Sequence, residues 1–165
     1  MLLEQFNDAE RSEAVEVLRP CVDIQRWCEA IVDARPYATR DALLGVARRA
    51  AHPFTAAEVQ AAMSHHPRIG EKPAGAGTEA AMSTAEQSGV DQTDARAAAA
   101  LRSGNEAYEQ KFGRVFLIRA AGRSADEILA SLHERLLHSE ADEDEVVAEQ
   151  LREIALLRLE GVITA

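Results

Sequence analysis

The sequence predicts an all-α fold, and three observations carry that reading. Apolar residues recur at i, i+3, i+4 and i+7 through several stretches of the chain. The Ser/Thr-x-x-Glu spacing that opens helices occurs at Thr55/Glu58, Ser83/Glu86 and Ser124/Glu127. Prolines stand where periodic stretches stop, at Pro20, Pro36 and Pro67. The expected architecture is one compact, bundle-like domain over residues 1–165, with about seven or eight helices.

Each element has its own reason. A first helix is expected from about Asp8 to Leu18, ending before Pro20. Cys21 to Arg35 is the clearest segment, because Ile24, Trp27, Cys28, Ile31 and Val32 form one apolar stripe. A third helix starts after Thr39 and turns Leu43, Leu44, Ala47 and Ala51 inward. A fourth opens at Thr55, buries Val59, Ala62 and Met63, and ends at His66 because Pro67 follows. Pro67 to Gly77 carries two prolines and three glycines and reads as a loop, with Ile69 as its anchor. Helix resumes at Ser83, again from about Asp94 to Lys111, and again at Ser124, where Ile128, Leu129, Leu132, Leu136 and Leu137 face inward. Val115 to Ala121 is an apolar run whose periodicity fits strand or helix equally. The last helix runs from about Glu143 to Leu159, and its acidic start suits the helix dipole.

Composition removes several function classes. The 165 residues are 47% hydrophobic but only 4% aromatic, so the core is built of Ala, Leu, Val and Ile. A net charge of −10 disfavours nucleic acid as a partner. There is no basic amphipathic face for a membrane surface and no apolar run near the roughly 18 residues of a membrane span. The N-terminus lacks a secretory pattern, and Ile163-Thr164-Ala165 is not a peroxisomal address. Cys21 and Cys28, seven apart on a helix, would lie roughly 10 Å apart and stay reduced, which fits the cytoplasm. Phosphate-loop, nucleophile-elbow and zinc motifs are missing, and Gly75-Ala76-Gly77 has no strand-to-helix phosphate signature.

Four places carry candidate chemistry. His66 falls on the continuation of the Val59 face, which aims it at core or pocket; the plain alternative is a histidine that favours a helix C-terminus. His65 projects elsewhere and reads as structural. The stretch Ser83, Thr84, Ala85, Glu86 and Gln87 opens a helix, so its free N–H groups suit an anion, though simple capping explains the same residues. Arg158 continues the Val147, Leu151, Ile154 stripe and there needs an ion-pair partner or an anionic ligand. Phe116, Leu117, Ile118, Arg119 and Ala120 offer either a pocket wall or ordinary core.

These residues together resemble a known family. His65-His66-Pro67-Arg68-Ile69-Gly70-Glu71-Lys72, followed by Ser83 to Ser88, is similar to the 2-oxo-4-hydroxy-4-carboxy-5-ureidoimidazoline (OHCU) decarboxylases of urate breakdown. The likeness extends to Phe6-Asn7, Leu18-Arg19-Pro20-Cys21 with Trp27, Arg35-Pro36-Tyr37, Lys111-Phe112-Gly113 and Leu156-Leu157-Arg158-Leu159. It covers nearly the whole chain. The His-Pro-Arg-Ile-Gly form looks like the bacterial branch; many members of the family have His-Pro-Asp-Leu-Ala-Gly where this chain has Arg68, Ile69 and Gly70.

The resemblance implies an all-α, cofactor-free, commonly homodimeric carboxy-lyase that releases CO2 and (S)-allantoin. It implies a catalytic His66 with Glu86 beside it and a substrate contact at Pro67. It also implies a substrate-binding turn at Ser83–Gln87, backbone hydrogen bonds from Phe116–Ala120, and a substrate-binding Arg158. Two other classes stay open: a helical module that binds an anionic ureido metabolite without turnover, and a helical DNA-binding regulator, which the charge disfavours.

Overall fold

The computed structural model describes residues 1–71, 77–90 and 94–165. Lys72–Ala76, the centre of the Pro67–Gly77 loop and most of Gly75-Ala76-Gly77, lie outside the described residues. Every regular element described is helical: α1 (Leu3–Asp8), α2 (Arg11–Leu18), α3 (Gln25–Asp33), α4 (Arg40–Arg49), α5 (Ala56–Met63), α6 (Thr78–Glu86), α7 (Ala95–Phe112), α8 (Ala125–Arg135) and α9 (Glu140–Val162). The all-α expectation holds, with nine helices among the described residues against about seven or eight foreseen. The chain divides into two units, Met1–Ala62 with Leu151–Ala165, and Met63–Gln150.

In the first unit, α2 packs on α3 and α3 on α4. Trp27, Cys28 and Ile31 of the α3 stripe are fully buried, and the Trp27 Nε1–H donates to the Ala47 carbonyl at 3.0 Å. The family-like N-terminal motifs are fasteners here. Asn7 and Tyr37 exchange two hydrogen bonds, Nδ2 to the Tyr37 carbonyl and the Tyr37 N–H to Oδ1, each 2.9 Å. The Arg35 guanidinium donates to the carbonyls of Phe6 (2.6 Å) and Ala9 (2.8 Å) and lies over the Phe6 ring. These bonds tie α1 to the chain after α3 by satisfying carbonyls that a helix end leaves over. The predicted first helix is α2, ending at Leu18 as expected, and α1 is a further short helix before it. Cys21 precedes α3 rather than sitting on it, and both cysteines are buried and outside any disulfide. Burial pushes the Cys28 thiol up to about 12, so it stays protonated.

Thr39 caps α4 by accepting from the Ala42 N–H at 3.1 Å. Ala51 is not an inward helical residue: α4 ends at Arg49, and Ala51 has φ +51 and is half-buried, while Ala50 is buried instead. Thr55 and Glu58 form the expected reciprocal cap, with the Glu58 N–H donating to Oγ1 (3.2 Å) and the Thr55 N–H to Oε2 (2.7 Å). Glu58 also takes a two-pronged bond from Arg26, and that guanidinium, helped by the Thr55 bonds, holds its carboxyl down at about 2. A folded-state value below the ordinary 4.5 means that the stabilisation is complete above that pH and is lost as pH falls toward 2. Glu58→Gln is therefore expected to lower the melting temperature at neutral pH by an amount that shrinks through this window. Thermal melts from pH 7 to pH 2 check it, and a constant gap would exclude the mechanism.

The second unit is organised around a core of Ile69, Val90, Leu101, Tyr108, Phe116, Ile118, Ala120, Ile128 and Leu132. Asp94 caps α7 by accepting from the Arg96 and Ala97 N–H groups, and Gly113 ends it in the left-handed region at φ +68. The Ser124/Glu127 cap of α8 is reciprocal as expected, and α7 packs on α8. Lys111 donates to the Leu136 and His138 carbonyls at 2.6 and 2.8 Å, satisfying groups released at the α8 C-terminus. Leu137 corrects the predicted inward stripe: it lies past the end of α8 and is 85% exposed. Phe116–Ala120 is neither helix nor strand but an irregular buried segment, with only Arg119 half-buried.

Candidate active site

The loop after α5 brings His66 and Pro67 to the second unit. Helix α5 stops at Met63, three residues sooner than Pro67 requires, so His66 does not continue the Val59 face. It is half-buried in the following turn, its N–H donating to the Met63 carbonyl at 3.1 Å. His65 is more exposed, with Nδ1 at 3.6 Å from Glu79 of α6, in keeping with a structural role.

Three side chains hold the residues that follow Pro67. Arg68 makes a two-pronged pair with Glu109 of α7, at 2.6 and 2.8 Å. The buried Asn105 donates Nδ2 to the Ile69 carbonyl at 3.0 Å. The Gly70 N–H donates to Oε1 of Gln87 at 2.9 Å. Gly70 sits at φ +86, where an L side chain is strained, and a Cβ there would come within 3.4 Å of Leu101. Ile69 is buried in the core, as its role of anchor requires.

Ser83 to Gln87 need a correction. They are not a helix N-terminus: α6 starts at Thr78, so Ser83, Thr84, Ala85 and Glu86 form its last turn and Gln87 its C-cap. The Ser-x-x-Glu spacing also fits i and i+3 inside a helix, so spacing alone does not mark the start. No anion-binding N–H groups arise there. What the turn offers is side chains. Ser83 and Gln87, four apart, are 3% and 7% exposed, Glu86 is half-buried, and Thr84 and Ala85 face out. Thr84 returns its hydroxyl to the Ala80 carbonyl of its own helix.

The Phe116–Ala120 segment is fixed from both sides. Arg135 of α8 donates Nη1 to the Leu117 carbonyl at 2.7 Å, and the Arg119 N–H donates to Oε1 of Gln150 at 2.9 Å. Phe116 spends its ring on the core, edge-on to Tyr108 at 5.1 Å. Arg158 belongs to the first unit. It is buried on the predicted stripe of α9 and donates Nη1 to the Pro20 carbonyl at 3.1 Å. The structure thus brings the His66-Pro67 loop to the end of α6 through the Gly70–Gln87 bond, and it sets Arg158 in the other unit.

The family model for OHCU decarboxylase matches residues 7–160. The chain belongs to the OHCU decarboxylase family. It is 25% identical to the 2-oxo-4-hydroxy-4-carboxy-5-ureidoimidazoline decarboxylase of Haloferax volcanii, over 96% of this chain and 94% of that one. It is 28% identical to the same-named protein of Amia calva, over 99% and 95%. A crystal structure of an OHCU decarboxylase in the presence of (S)-allantoin superposes with a TM-score of 0.68 at 27% identity, covering 93% of this chain and 97% of that one. The fold is also that of an (S)-allantoin synthase, with a TM-score of 0.71 at 16% identity, over 99% of this chain and 54% of the other. Carboxy-lyases of purine catabolism are thus its relatives.

Sequence pattern does not single out Arg135, Glu143 or Asn105, yet each lies on an apolar stripe. Arg135 follows Ile128 and Leu132 at i+7 and i+3. Glu143 precedes Val147 by four, and Asn105 follows Leu101 by four. The rule that exposes Arg158, a polar group continuing an apolar stripe, finds all three.

Proposed function

We propose that this chain decarboxylates OHCU to (S)-allantoin and CO2 without a cofactor, as a homodimer in the cytoplasm, with His66 as the catalytic histidine. The family match over residues 7–160 carries the reading, since it contains His66-Pro67 and the Ser83–Gln87 turn joined by the Gly70–Gln87 bond. Among the described residues no helix is long and apolar enough to cross a membrane.

The substrate carries carboxylate and hydroxyl on one ring carbon. Loss of CO2 leaves an electron pair on that carbon, which delocalises into the ring imine and carbonyl system. The carboxylate must stand out of the ring plane for that alignment. A histidine, whose ordinary pKa lies near neutrality, is suited to hold the ring hydroxyl and manage its proton. Gln87, with Oε1 engaged by Gly70, keeps its Nε2 donors for a ring or ureido oxygen. Ser83 and Pro67 complete that side. Backbone groups of Phe116–Ala120 hold the substrate, and Arg158, on the resemblance, supplies hydrogen bonds that strengthen as charge develops.

The substrate also decays unaided to racemic allantoin, so handedness is the readout. Circular dichroism follows the allantoin formed when urate is oxidised in situ through hydroxyisourate hydrolysis. A fast (S)-allantoin signal supports the reading. A racemic product at the uncatalysed rate from folded protein overturns it in favour of a binding module. Glu86 is tested in the same assay. Because it lies in the last turn of α6 rather than at a cap, its replacement leaves the helix start intact. Glu86→Gln is expected to slow turnover by about tenfold or more, and full activity would show that no carboxylate is needed there.

A further inference from the structure

Arg135 and Glu143 form the most deeply buried ion pair described, 5% and 0% exposed at their side chains. Nε and Nη2 of Arg135 both donate to Glu143 Oε1, at 2.8 and 2.6 Å. The Tyr108 hydroxyl donates to the same oxygen at 2.5 Å, and His138 Nδ1 lies 3.0 Å from Oε2. The guanidinium sits 4.5 Å from the Phe116 ring centroid. Well-packed apolar residues often serve stability as well as a buried pair does, so the pair's use lies in what it orients. Arg135 also reaches a backbone group outside this cluster, donating Nη1 to the Leu117 carbonyl at 2.7 Å. In a trans peptide the carbonyl of one residue and the N–H of the next point in opposite directions. Fixing the Leu117 carbonyl on Arg135 therefore fixes the Ile118 N–H on the far side of the segment. Two residues on, Gln150 holds the Arg119 N–H.

We propose that Arg135, held by Glu143, is a positioning residue that presets the Ile118 N–H as a donor to the ureido substrate, with Gln150 as the second clamp on the same segment. This rests on the function proposed above. The side chains do not touch substrate; they act through backbone.

The test is steady-state turnover of OHCU by the full chain, read as (S)-allantoin, with three variants. Arg135→Met/Glu143→Gln removes the clamp without leaving a buried charge and keeps an acceptor for Tyr108. Gln150→Ala removes the second clamp, and Gln150→Glu restores an acceptor. We expect the double variant and Gln150→Ala to keep far-UV circular dichroism. KM should rise about tenfold with kcat changed less than threefold, and Gln150→Glu should return KM to near the parent value. Unchanged KM in either folded variant overturns the proposal. If the double variant does not fold, the Gln150 pair decides. Parent turnover separates the two ideas: a parent that makes no excess (S)-allantoin sinks the functional reading, whereas an active parent with unaltered variants sinks the clamp alone.

Discussion

His66→Asn is expected to cut the enzymatic formation of (S)-allantoin by about 10²- to 10⁴-fold, the range that a general acid–base group contributes. The expectation combines chemistry and placement. His66 lies outside every helix, in a turn whose backbone bond to Met63 survives the change. It is half-buried, so asparagine can be solvated in its place. The loop beyond is held by Asn105, Gln87 and Arg68. Helicity and melting should therefore match the parent closely. Circular dichroism serves both measurements, at helical wavelengths for the fold and on the product for its handedness. Comparable turnover in a folded His66→Asn would remove the histidine from the mechanism.

The largest stability effect is expected at Glu143. Glu143→Ala strips the Arg135 guanidinium of two bonds while leaving it buried, and takes away the carboxylate that accepts the Tyr108 O–H. Burial, with Glu143 adding to it, pushes the Tyr108 phenol up to about 12, so its proton stays on and needs an acceptor. Breaking a buried pair from one side costs about 3–5 kcal/mol, which is on the order of 10 °C in Tm for a chain of this size. Urea unfolding of Glu143→Ala measures it. A loss below about 1 kcal/mol would mean that water or a shifted side chain takes the carboxylate's place. The double variant described above is expected to be far milder, because no charge is stranded. That contrast separates a costly single break from a neutral exchange.

The sequence made the helical parts of the fold legible wherever one physical signal dominated. The α3 stripe, the Asp94 start of α7 and two of the three capping boxes are all present. Ser83/Glu86 misled because the same spacing recurs inside helices, and the true start at Thr78 follows Gly77, which has no side-chain cap. Ala51 and Leu137 misled because a period extrapolates past the point where a helix stops. At the site, His66 and Arg158 stood out as polar residues on apolar stripes, although His66 leaves its stripe when α5 ends early. The grip of Gln87 on Gly70 was not legible, since a bond across seventeen positions leaves no mark on local spacing.

The split of α9 between units has a consequence for how the chain is assembled. The unit of Met1–Ala62 needs Leu151–Ala165 to be complete. Arg40 reaches the carbonyls of Glu160 and Ile163, and the Leu3 N–H and Met1 carbonyl both bond Thr164. These partners are made after Gln150 during synthesis. The whole of Met63–Gln150 emerges before them, at ~5–20 residues per second, and can form its own core first. The entropy of closing so long an intervening loop grows only logarithmically, so the cost falls on speed more than on stability. Met1–Ala62 is thus translated before Met63–Gln150 but completes its core only after it, once Leu151–Ala165 has been made.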